Sequence, residues 1–97
     1  MGPVIPVVSF DELDQTIAYA NDSELRLTSS IYTSNLDAAM RACDELKFGE
    51  TYINRDNFEA LHGFYAGWRK SGIGGADGKH GLYEFMRTHV VYLQRSV

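Results

Sequence analysis

The chain has 97 residues, 44% hydrophobic and 23% charged, which fits a globular polypeptide and excludes a collagen-like or charge-rich disordered one. Its net charge of −4 is uneven: residues 1–54 carry nine acids and three bases, while residues 55–97 carry four acids and six bases. The six bases are neither clustered nor interleaved with aromatics, so no nucleic-acid partner is expected.

A chain of this length is limited to one domain, taken as residues 1–97. It buries only about 60 to 65% of its unfolded surface, so an uncovered apolar face weighs heavily on its stability. Cys43 is the only cysteine, which rules out an internal disulfide. The first ten residues are apolar but lack a basic stretch and contain Pro3 and Pro6, unlike a secretory signal. No run reaches the roughly 20 apolar residues of a membrane span, so no membrane partner is expected and the cytoplasm is the expected location.

Val4 to Phe10 is rich in strand formers, and Pro6 within it predicts an edge strand or a strand entrance. Asp11 and Glu12 open a helical stretch with Leu13, Ile17 and Ala20 at helical spacing, closed by Asn21-Asp22-Ser23. Leu27 to Thr33, with Ile31, Tyr32 and its threonines, predicts a second strand. Ser34 to Asp37 has the form of a capping box, and Leu36, Ala39, Met40, Cys43 and Leu46 then share one helical face. Gly49 stands where a left-handed residue would end that helix. Thr51-Tyr52-Ile53 predicts a third strand, completing a βαβαβ order that leads to a parallel sheet with right-handed crossovers.

Arg55 to Lys79 is rich in glycine and aromatics and is too long for a mere connection. Gly81 to Thr88 predicts a short helix with Leu82, Phe85 and Met86 on one side, and Val90 to Leu93 predicts a last strand. The fold class is therefore α/β: a three-layer-like parallel βαβαβ sheet of three strands with an appended C-terminal helix and strand.

Three features bear on chemistry. The run Gly72-Ile73-Gly74-Gly75-Ala76-Asp77-Gly78 has the amides of a phosphate loop, but its Gly-x-Gly-x-x-x-Gly spacing misses the dinucleotide fingerprint and no strand precedes it. A structural turn is favoured there, as a buried packing role is for Cys43 in mid-helix. His62, His80 and His89 never fall at metal-ligand spacing with one another or with the cysteine, so no metal site is expected. Glu59, His62, Phe64, Tyr65 and Trp68 place polar tips and broad apolar faces in one loop, either as the wall of a small-molecule pocket or as a lid over the core. Spacing alone leaves both readings open.

A resemblance goes further. Gly2-Pro3-Val4-Ile5-Pro6-Val7, Ala20-Asn21-Asp22, Leu27-Thr28-Ser29-Ser30, Gly49 through Ile53-Asn54, Ser71-Gly72-Ile73-Gly74 and Gly81-Leu82 resemble, in order and spacing, the C-terminal part of the NAD-dependent aldehyde dehydrogenases. Ile53 to Ala60 and Gly67 to Gly72 look most like the bacterial lactaldehyde dehydrogenase branch. The resemblance implies an oxidoreductase family that uses a cysteine thiohemiacetal and passes hydride to NAD. It places the nucleophile, its general-base glutamate and the cofactor domain upstream of the Gly-Pro-Val turn. It therefore implies no catalytic residue and no cofactor for these residues alone. Asn54 would end a strand near the active site, Glu59 and Tyr65 would line the substrate pocket, and Trp68 belongs to the same loop.

The expectation is an inactive segment that forms homo-oligomers through an open sheet edge or through Val90 to Leu93. The alternatives are a small-molecule binding module and a subunit of an intact aldehyde dehydrogenase. Two departures stand out: Leu25-Arg26 replaces the usual Tyr-Gly before Leu27, and Tyr65 stands where the branch suggests histidine.

Overall fold

The computed structural model describes residues 2–96. Helix α1 spans Leu13–Asp22 and buries Ile17, as its spacing predicts. It is followed by the two-residue strand β1 (Leu25–Arg26) and by β2 (Thr28–Ile31). Helix α2 runs Leu36–Glu45 and leads into β3 (Glu50–Ile53). Strands β2 and β3 pair in parallel, with Thr28 opposite Glu50 and Ile31 opposite Ile53. α2 is the crossover between them, the arrangement that parallel strands require.

The sheet nevertheless has two parallel strands instead of the expected three. Val4 to Phe10 is extended but joins no ladder, and Val7 is 91% exposed. Val90 to Leu93 likewise forms no strand among the described residues, with Tyr92 93% exposed. Both segments have strand composition, but a strand exists only when another backbone takes up its N–H and C=O groups.

The long loop is more ordered than its composition implies. It holds β4 (Tyr65–Ala66), β5 (Trp68–Arg69) and β6 (Gly75–Ala76). β5 pairs antiparallel with β1, and β6 pairs antiparallel with β4. Helix α3 spans Gly78–Glu84, starting and ending earlier than Gly81 to Thr88, and Leu82, Phe85 and Met86 all face solvent.

Three details of α2 depart from expectation. Its cap is Asn35, whose Oδ1 accepts from the Ala38 N–H at 3.1 Å, one residue beyond the expected Ser34. Its buried residues are Ala39 and Ala42, while Met40 and Cys43 are exposed. Of the remaining apolar stripe, Leu36, Met40 and Cys43 face outward and Leu46 is half-buried. Gly49 is not left-handed; glycine is needed there because a Cβ would overlap the Ala66 carbonyl oxygen. Leu46 caps the helix with extended backbone instead.

The core is small. Its buried apolar residues are Ile17, Ala39, Ala42 and Tyr52. The radius of gyration is 19.1 Å, whereas a compact chain of this length has about 13 Å. The accessible surface is 8578 Å², against about 5,600 Å² from the size scaling of folded monomers. No helix among the described residues is long and apolar enough to cross a membrane.

Candidate functional site

Parallel β2 and β3 bring their C-terminal ends together, and the residues following them form the site. Asn54 terminates β3 in the left-handed region (φ 53°), which asparagine tolerates better than most side chains. Its amide locks it to the end of β2: Thr33 N–H donates to Asn54 Oδ1, and Asn54 Nδ2 donates to the Thr33 carbonyl, both at 2.8 Å. With both ends of its amide occupied, Asn54 shapes the strand ends and does not line the neighbouring cleft.

The chain beyond Asn54 is fastened in several places. Asn57 Nδ2 donates to Thr28 Oγ1 at 2.9 Å, the Ser30 hydroxyl donates to Asn57 Oδ1, and the Tyr32 hydroxyl donates to the Arg55 carbonyl at 3.0 Å. Arg55 in turn donates to the Phe58 carbonyl at 2.8 Å. The strand and this turn enclose an open cleft of about 490 Å³, bordered by Glu50, Tyr52, Arg55, Phe58 and Glu59.

Alternation along β3 sends Glu50 and Tyr52 to one face. There the Tyr52 hydroxyl donates to Glu50 Oε2 at 2.6 Å. That bond to a carboxylate is the main cause that pushes the Tyr52 phenol up to about 12; desolvation adds to it. The Arg55 guanidinium lies 5.5 Å from the centroid of the Tyr52 ring. The cleft thus offers carboxylates, a neutral phenol and a guanidinium beside the Phe58 ring. Such a wall can hydrogen-bond a small polyhydroxylated molecule while packing against its carbon frame.

The four expected site residues do not converge on this cleft. Glu59 lines it. Tyr65 lines a second cleft of about 350 Å³, bounded by Leu27, Gly67 and the turn from Ser71 to Ala76. Trp68 is 49% exposed on β5 and borders neither cleft, and Asn54 is engaged with Thr33. Sequence spacing missed Glu50, Tyr52 and Arg55, although the alternation of Glu50 and Tyr52 across one strand face carried the signal.

Cys43 is exposed, contrary to the buried packing role expected of it, and it borders none of the clefts described. His80 packs its ring against Phe64, with centroids 5.5 Å apart. Among the described residues no group of three or more His, Cys, Asp or Glu side chains is placed to hold a metal ion.

The glycine-rich turn does not fit a dinucleotide. It is entered from a turn at Lys70–Ser71 and leads to a helix of only seven residues. Gly75 is pressed inward, where a Cβ would stand 2.5 Å from the Tyr65 carbonyl oxygen and 2.6 Å from the Phe64 ring. Gly75 serves packing, and Gly72, Gly74 and Gly78 take the positive φ that glycine permits, so a structural turn accounts for the run.

Comparison with known proteins supplies the family. The model of the aldehyde dehydrogenase family matches residues 1–91. The chain belongs to the aldehyde dehydrogenase family. It is 71% identical over 93 residues to lactaldehyde dehydrogenase of Escherichia coli, a match that covers 96% of this chain and 19% of that protein. It is 42% identical to 3,6-anhydro-alpha-L-galactose dehydrogenase of Streptomyces coelicolor, over 99% of this chain and 20% of that one. A crystal structure of the E. coli lactaldehyde dehydrogenase superposes with a TM-score of 0.91 at 70% identity, covering 97% of this chain and 20% of that chain. Betaine aldehyde dehydrogenase of Staphylococcus aureus, solved in complex with NAD, gives a TM-score of 0.82 at 33% identity, covering 87% and 17%. The chain thus spans about a fifth of the length of these relatives.

Proposed function

We propose that these residues form the substrate-pocket and self-association segment of an aldehyde dehydrogenase that oxidises small hydroxy-aldehydes, and that alone they catalyse no oxidation. The observation that carries this reading is the open form of the chain. Its surface exceeds that of a compact monomer by about 3,000 Å², an amount on the scale of permanent protein interfaces. Much of the exposed surface is apolar and lies in two strand-like arms, Val4 to Phe10 and Val90 to Leu93.

Unpaired strand-forming backbone recruits other chains, which supports self-association through Val90 to Leu93 or an open sheet edge. The same exposed arm would serve a subunit that joins an intact aldehyde dehydrogenase. Similarity to lactaldehyde dehydrogenase supports the substrate class, with Glu59 and Tyr65 as contacts and Asn54 and Trp68 as their neighbours. The exposure of Cys43 away from the clefts supports the absence of a nucleophile, since acyl transfer needs an activated thiolate beside the bound carbonyl. A cytoplasmic location belongs to the same proposal.

Spectrophotometry tests it: the pure chain, given lactaldehyde or glycolaldehyde with NAD, should form no NADH. Sustained NADH formation would overturn the proposal.

The order of the Glu59 cleft favours one further reading, a binding module for small hydroxy-aldehydes or carboxylates. Titration with such compounds, followed at Tyr52 and Glu59 by NMR, should then saturate. Flat responses at millimolar ligand would remove that reading.

A further inference from the structure

Arg26 is the buried charged side chain of the described residues, 4% exposed, and it takes part in none of their ion pairs. A buried cation without a carboxylate is costly unless its donors are otherwise satisfied. Here the C-terminal end of α1 satisfies them. Arg26 Nε donates to the Ser23 carbonyl at 2.9 Å, and its terminal nitrogen donates to the Asn21 carbonyl. The last carbonyls of a helix lack intrahelical partners and carry partial negative charge. No basic residue stands in the last turn of α1, so the cation folds back from beyond the helix.

The backbone of the same residue faces the other way. Its N–H donates to Ser71 Oγ at 2.6 Å, its carbonyl accepts from the Gly49 N–H at 3.2 Å, and Trp68 lies opposite it in the ladder. Nearby, the Lys70 N–H donates to the Glu24 carbonyl at 3.1 Å. Ser71 borders both the Tyr65 cleft and a neighbouring cleft walled by Leu25 and Phe48. Position 26 is not left-handed, so arginine sits there without strain.

We propose that Arg26 is a positioning residue: its guanidinium, anchored on the end of α1, fixes the backbone that holds Ser71 and so sets one wall of the Tyr65 cleft. The assignment rests on the proposed function only in treating that cleft as part of a substrate pocket. Lysine cannot take the role, because a single ammonium does not present the rigid fork that reaches two carbonyls.

The test is residue-resolved amide hydrogen exchange on the full chain, for Arg26→Met, Arg26→Lys and Ser71→Ala. Both Arg26 variants should speed exchange at Gly49 and Lys70 by about tenfold or more while leaving Leu46 and Asn54 unchanged. Ser71→Ala should speed exchange at the Arg26 amide alone. Unchanged exchange in Arg26→Met, wild-type behaviour of Arg26→Lys, or acceleration of equal size at Leu46 and Asn54 would overturn the assignment. So would an unaltered Arg26 amide in Ser71→Ala, a variant that keeps the anchor intact. Glycolaldehyde titration, followed at the Tyr65 resonance, separates the two ideas: local loosening without any ligand response keeps the Arg26 role and sinks the pocket reading.

Discussion

The β2–α2–β3 unit and the two arms meet opposite fates, although the arms are the more apolar: 12 of 26 residues in the unit against 9 of 11 in the arms. Between Thr28 and Ile53, a helix with a side-chain cap connects two strands that satisfy each other's backbone, and Ala39, Ala42 and Tyr52 are buried. From Val4 to Phe10 and from Val90 to Leu93, equally strand-prone residues lie extended and exposed, with no ladder partner among the described residues. The difference is one of contact range. The crossover unit meets its own partners within about 25 residues of chain, as the element bounds show, whereas the arms need backbone from elsewhere. Strand propensity decides what a segment can become, and a neighbouring strand decides whether it does.

Substitutions that probe this contrast fall in a clear order. The largest effect is expected for Gly49→Ala, because the added Cβ would overlap the Ala66 carbonyl where the crossover unit meets the loop. It should destabilise the chain by about 3 kcal/mol or more in urea titration. Asn35→Ala removes the cap of α2 and should cost about 1 kcal/mol in the same measurement. An equal loss from Ser34→Ala would place the cap at the wrong residue.

A double substitution in the C-terminal arm, Val91→Lys with Leu93→Lys, should leave the urea midpoint of the crossover unit within experimental error while weakening self-association in sedimentation. A large fall in stability would mean that the arm packs on its own chain.

The smallest effect concerns Tyr52. The bond to Glu50 pushes its phenol up to about 12 from an ordinary 10, so the bond stabilises the fold fully below pH 10. That contribution should fade as pH rises from about 10 through about 12, and Tyr52→Phe should flatten the pH dependence in this window. An unchanged profile in Tyr52→Phe would contradict the Tyr52–Glu50 bond.

The crossover unit was also the legible part of the sequence. The helical spacing of Leu13, Ile17 and Ala20 and of Ala39, Met40 and Cys43 marks α1 and α2, and the strand-forming runs Leu27 to Thr33 and Thr51 to Ile53 mark β2 and β3, with β2 ending earlier, at Ile31. The pattern does not fix how wide a face each helix buries, so spacing places Cys43 inside whereas it stands outside. β1, β4, β5 and β6 are two residues each, and β4 to β6 lie among glycines, too short for any alternation to show. The site was legible in part for the same reason. Glu59 and Tyr65 are close in sequence, but the turn around Gly63 and the β4–β6 ladder send them to different clefts. Glu50 and Arg55 border one cleft, which no sequence spacing marks. Arg26 stands out in the sequence only by resemblance, because its anchoring to α1 depends on a fold-back that no local spacing records.

The small core and the open arms support our proposal that other protein covers this chain. Sedimentation velocity on the pure chain across the micromolar range, combined with X-ray scattering, tests it directly. Concentration-dependent assemblies larger than a monomer are the predicted result. A monodisperse monomer with a radius of gyration of about 13 Å would contradict it.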